Sequence, residues 1–130
     1  MKKKVLLVSF VLVLLLFVVS VSFAENTLDG VYEEVGATDS IVVYAQDGSM
    51  VYATGYYNIN GQPRVWYGMG QREGNTISHS YKITRGPSSL TTMKPGKHIL
   101  TISPDGKTMT GKATGSDGTS SSFTMKKKFN

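Results

Sequence analysis

The chain has no cysteine and only four prolines, and beyond residue 24 it shows no helical apolar periodicity of useful length. Without cysteine there is no disulfide framework, so packing and sheet closure must hold the fold. Without a helical period, strands are the element left to build. No Gly-x-Ser-x-Gly elbow occurs, and no phosphate-cradling glycine loop opens a helix. Glu33 and Glu34 are neighbours on an expected strand and so point to opposite faces, which defeats a paired-carboxylate mechanism. The two histidines, His79 and His98, lie on expected strands far apart in the sequence and have no acid at ligand spacing, so no metal site is expected. Asp105 and Asp117 read as turn residues. The expectation is a non-enzymatic protein with no catalytic residue, metal or cofactor.

Positive charge is also scarcer than it looks. The formal net charge is +5, and Lys2, Lys3 and Lys4 supply three of those charges. An apolar run from Val5 to Val19 follows them, and Ser22-Phe23-Ala24 places small residues ahead of Glu25. This layout predicts a signal peptide over 1–24 and a single domain over 25–130, exported to the periplasm or secreted. The alternative is a membrane anchor, since Val5 to Phe23 is almost long enough to span a bilayer. No cysteine follows the run, which excludes lipoprotein processing. With no clustered arginine, nucleic-acid binding is not expected. Lys126-Lys127-Lys128 reads as a solvated strand end.

What the sequence does have is turn chemistry. Asp47-Gly48, Asn60-Gly61, Gly74-Asn75, Asp105-Gly106 and Asp117-Gly118 each sit between stretches rich in Val, Ile, Thr, Tyr and Phe. Such pairs tolerate the positive φ that tight hairpins require. Eight strands are expected: Gly30 to Val35, Ser40 to Gln46, Ser49 to Asn58, Pro63 to Gln71, Thr76 to Thr84, Lys97 to Ser103, Lys107 to Gly115 and Thr119 to Lys128. One connection, Arg85 to Gly96, is long. The expected fold is all-β, an eight-stranded antiparallel up-and-down meander closing into a small barrel, with a two-sheet sandwich as the alternative.

Hairpin geometry carries facing from strand to strand. Val42, Tyr44, Val51, Ala53, Tyr57, Trp66, Ile77, His79 and Tyr81 fall on one face. The opposite face of the fifth strand, Thr76, Ser78, Ser80 and Lys82, belongs in water, so the Trp66 face points inward. A bulge at Gly74 would reverse the three earlier strands. Leu100 and Ile102 share a face with Met109, Gly111 and Ala113, and a three-residue turn at Ser116-Asp117-Gly118 brings Phe123 and Met125 inward. The outward face then holds Ile41, Val43, Met50, Tyr52, Val65 and Tyr67, which is unusually apolar for a solvated surface.

Gly30-Val31-Tyr32, the run from Gln46-Asp47-Gly48 into Val51, Gly70 through Gly74-Asn75 to Ile77, and Leu100 through Gly111 together resemble small exported lipocalin-like, or more broadly calycin-like, barrels. Tyr32 stands where that family usually has tryptophan. Lys126 to Lys128 stand where an arginine often packs on that ring. The resemblance implies a barrel and a general habit of binding.

The candidate ligand-binding residues are Tyr44, Tyr57, Trp66, His79 and Tyr81. A neutral inward His79 offers one donor and one acceptor to a ligand. Its other role is a core histidine satisfied by a tyrosine hydroxyl or a backbone carbonyl. Four large rings in a small barrel argue for a filled interior. Two functions stay open: a barrel binding a small apolar or amphipathic molecule, or a protein-interaction module such as a secreted-enzyme inhibitor or envelope component. Most of the expected strands are shorter than the roughly 9–11 residues that cross a bilayer, so stable membrane insertion after cleavage is not expected.

Overall fold

Alternating apolar and polar residues, interrupted by glycine-bearing turns, form eight strands. In the computed structural model, which describes residues 27–91 and 94–130, these are β1 (Gly30–Glu34), β2 (Ser40–Asp47), β3 (Met50–Ile59), β4 (Gln62–Glu73), β5 (Thr76–Arg85), β6 (Gly96–Ile102), β7 (Thr108–Thr114) and β8 (Ser120–Phe129). The expected signal peptide lies outside the described residues. Each strand pairs antiparallel with the next, and β8 pairs back to β1, so the meander is a closed barrel. That last ladder, with Tyr32 opposite Lys127 and Glu34 opposite Met125, rules out a sandwich of two separate sheets.

The turns set the registers. Asn60 and Gly61 both take positive φ, 52° and 78°, and join Ile59 to its partner Gln62. Gly74-Asn75 joins Glu73 to Thr76, with φ of 57° at Gly74. The first hairpin differs from expectation. Asp47 pairs with Met50, so the turn residues are Gly48-Ser49, and Gly48 takes the positive φ. This slides the register by two residues, and because side chains alternate with period two, every facing survives. Asp105-Gly106 is the centre of a longer loop between Ser103 and Thr108, with Asp105 Oδ1 accepting from Lys107 N at 3.0 Å. Ser116-Asp117-Gly118 is the expected three-residue turn, closed by Gly115 N donating to Thr119 O. The irregularity in the β4–β5 ladder lies beside Val65 and Trp66, at the end away from Gly74, and Trp66 stays inward. Among its described residues, the long connection contains a short helix, α1 (Ser88–Thr91), on the carbonyl of Pro87.

The core is the inward face. Tyr32, Val42, Tyr44, Val51, Ile77, Leu100, Ile102, Met109 and Met125 are all buried. The inner wall alternates large against absent side chains. Gly55 lies opposite Trp66, Gly70 opposite His79, Gly96 opposite Tyr81, and Gly111 opposite Leu100. A Cβ on Gly55 would sit 2.2 Å from the indole, and one on Gly96 would sit 2.5 Å from the Tyr81 ring. Small–large pairing of this kind lets rings lie flat against the barrel wall instead of meeting at its axis.

Candidate functional site

The two ends of the barrel differ. At one end, the segment ahead of β1 folds in. Leu28 is buried, and the Tyr32 hydroxyl donates to its carbonyl at 2.8 Å. Asp29 Oδ1 accepts from Gln46 N at 2.7 Å, and the Arg72 guanidinium donates to Gln46 Oε1 at 2.9 Å. Lys127 is packed here rather than solvated. Its ammonium lies 5.5 Å from the Tyr32 ring centroid and donates to the Thr27 carbonyl at 3.1 Å. Burial raises the Tyr32 phenol to about 12, with Arg72 opposing. Lys128 pairs with Glu33 on the surface. This end is closed.

The other end opens onto a cavity of about 430 Å³. Val42 and Tyr44 on β2, Tyr57 on β3, Trp66 on β4, Tyr81 and Ile83 on β5 and Phe123 on β8 supply its apolar and aromatic lining. Strand alternation puts them all on one face. The interior is therefore filled below and open above, where four large rings suggested filling throughout.

Tyr44, Tyr57, Trp66 and Tyr81 line this cavity, and His79 does not. His79 lies beneath it as a satisfied core residue. Its Nδ1 is 3.1 Å from Ser80 O and its Nε2 is 3.2 Å from the Tyr44 hydroxyl. A carbonyl can only accept, so Nδ1 carries the proton and Nε2 accepts from Tyr44. Burial lowers the His79 pKa, which keeps this tautomer neutral, while the bond to Ser80 opposes the shift. The same burial raises the Tyr44 phenol well above its ordinary range, so it remains a donor.

The histidine on the cavity wall is His98. It is the hub of the aromatic cluster, stacked on Tyr81 at 4.2 Å between centroids and edge-on to Trp66 at 5.0 Å, Phe123 at 5.3 Å and His79 at 4.8 Å. Only 7% of it is exposed, yet Nδ1 is buried without a hydrogen-bond partner. Burial, reinforced by neighbouring His79, pushes its pKa down to about 3. Its inward facing follows from alternation with Leu100 and Ile102 on β6, a signal that the sequence carries. Asn58 Oδ1, on the same cavity, is likewise buried without a partner. Native interiors seldom leave such atoms unsatisfied.

The outward face is apolar across three strands. Ile41 pairs with Tyr56, Tyr52 with Met69, and Thr54 with Tyr67. Ile41, Val43, Tyr52, Tyr56, Tyr67 and Met69 are all exposed. No family model, curated protein or solved structure matches the chain.

Proposed function

We propose that this protein is a non-enzymatic, exported barrel that holds a small apolar or amphipathic molecule in its open end. The observation that carries this reading is the cavity of about 430 Å³, walled by Tyr57, Trp66, Tyr81 and Phe123 above a packed floor. That size lies within the range of small-molecule sites, and a mostly apolar wall with a few polar atoms is their usual lining. The lysine-rich end of β8 supports the lipocalin-like resemblance. Lys127 lies over the Tyr32 ring, where that family often sets an arginine on a tryptophan.

The test uses the neutral apolar dye N-phenyl-1-naphthylamine with the purified protein and with Ala113→Phe, which projects a ring from the cavity wall. The native protein should enhance dye emission and gain thermal stability, and A113F should do neither. Equal behaviour of the two proteins removes the reading.

A second reading is an interaction module that uses the outward patch of Ile41, Val43, Tyr52, Tyr56, Tyr67 and Met69. These residues are cross-strand neighbours rather than scattered singles, and such patches often mark partner surfaces. Tyr52→Lys with Tyr67→Lys should abolish capture of an envelope partner while leaving dye binding intact. Capture unaffected by the double substitution counts against it.

A further inference from the structure

The cavity wall carries an acid where the strand pattern calls for an apolar residue. Glu34 alternates with Tyr32 on β1 and lies opposite Met125, both of which are buried in the core. It is half-buried and lines the cavity. Among the described residues its carboxylate has no ion pair and no hydrogen bond, whereas its neighbour Glu33, facing outward, is paired with Lys128. Asp39 adds a second carboxylate at the mouth, and no lysine or arginine lines the cavity. Arg64 lies on the same rim but over the Tyr57 ring, 5.8 Å from its centroid. Glu34 and Asp39 are thus the charged residues that line the cavity.

A carboxylate turned into a partly desolvated space costs free energy unless a counter-charge meets it. The surrounding walls favour the same sign of guest, because the faces of Trp, Tyr and Phe attract cations. His98, more than nine-tenths buried, also lines this wall, and its Nδ1 has no protein partner.

We infer that the cavity takes a small amphiphilic amine, its apolar body against Trp66, Tyr81 and Phe123 and its ammonium group held by Glu34. This rests on the reading of the cavity as a ligand site and narrows it to cations. Anionic amphiphiles such as fatty acids would meet like charge from Glu34 and Asp39 and be rejected.

Calorimetric titration of the purified protein with three probes sharing one body tests the inference: 3-phenylpropylamine, 3-phenylpropan-1-ol and 3-phenylpropionate. The amine should bind about tenfold tighter than the alcohol, and the propionate weakest. Glu34→Gln should bring the amine down to the affinity of the alcohol, and an unchanged melting temperature should show that the variant is folded. Equal affinities for the three probes, tighter binding of the propionate, or an amine preference that survives E34Q overturns the charge assignment and leaves the cavity as a ligand site. Absence of binding by all three overturns both.

Discussion

His79 and His98 are direct partners across the β5–β6 ladder, with ring centroids 4.8 Å apart and planes nearly perpendicular. The two rings have opposite circumstances. His79 uses both nitrogens within the protein, on Ser80 O and the Tyr44 hydroxyl, while His98 Nδ1 has no partner. Burial depresses both pKa values, and a charge on one would oppose a charge on the other. Both rings are therefore neutral at neutral pH.

That pair makes stability dependent on pH in a defined window. An unfolded histidine titrates near 6.5, whereas folded His98 resists protonation down to about 3. Between those values the unfolded chain binds a proton that the fold excludes. The contribution is fully present above about 6.5, falls as pH drops through the window, and stops changing below about 3. Each such group adds a slope of up to about 1.4 kcal/mol per pH unit. Urea unfolding from about pH 7.5 to about pH 4 should show native stability falling more steeply than that of His98→Phe. Parallel curves would mean that His98 protonates as readily in the fold as outside it.

Tyr44→Phe should destabilise by more than the loss of one exposed hydroxyl. It leaves His79 Nε2 as a buried acceptor without a donor, and the ring cannot turn to escape because Nδ1–H is committed to Ser80 O. The expected cost is about 1–3 kcal/mol, read as a lower urea midpoint with unchanged slope. A cost below roughly 0.5 kcal/mol, smaller than an ordinary net hydrogen bond, would show that Tyr44 does not donate to that nitrogen.

Facing was legible in the sequence because it is local. A turn centred one residue late, at Gly48-Ser49 instead of Asp47-Gly48, slides the register by two and leaves Val51 and Trp66 inward. Height along the barrel was not legible. Parity puts His79 on the same face as Tyr57 and Trp66 without saying that it sits below the cavity they line. The facing of His98 was legible from Leu100 and Ile102 on its own strand, but its place beside His79 and Tyr81 depends on the β5–β6 register, set across the long connection from Arg85 to Gly96. The open space itself depends on which residue faces which across the ladders, as with Gly55 under Trp66 and Gly96 under Tyr81. Those are long-range pairings that composition does not contain.

Gly55→Ala tests that pairing. Its new Cβ would lie 2.2 Å from the Trp66 indole, so the ring has to lift off the wall into the cavity. Overpacking of this kind costs about 1–3 kcal/mol. Trp66 is the single tryptophan, so intrinsic emission reports the displacement directly. The variant should show a shifted emission maximum, a lower melting temperature and weaker N-phenyl-1-naphthylamine binding. Native-like emission would show that the indole does not rest on Gly55.

Leu28 makes the segment ahead of β1 part of the fold rather than a tail. Only 1% of the residue is exposed, and it belongs to the same hydrophobic core as Tyr32. Its carbonyl takes the Tyr32 hydroxyl, while Asp29 and Thr27 on either side are tied to Gln46 and Lys127. Leu28→Ala keeps the backbone acceptor and removes only the apolar plug. The loss should be about 2–5 kcal/mol, the usual range for emptying a fully buried leucine site. Because the change is at the closed end, far along the strands from Tyr57 and Phe123, ligand affinity of the folded fraction should hold. Denaturant unfolding and dye titration on the same preparation separate the two effects. A variant as stable as the native protein would show that the closed end is held by the strands and Lys127 alone.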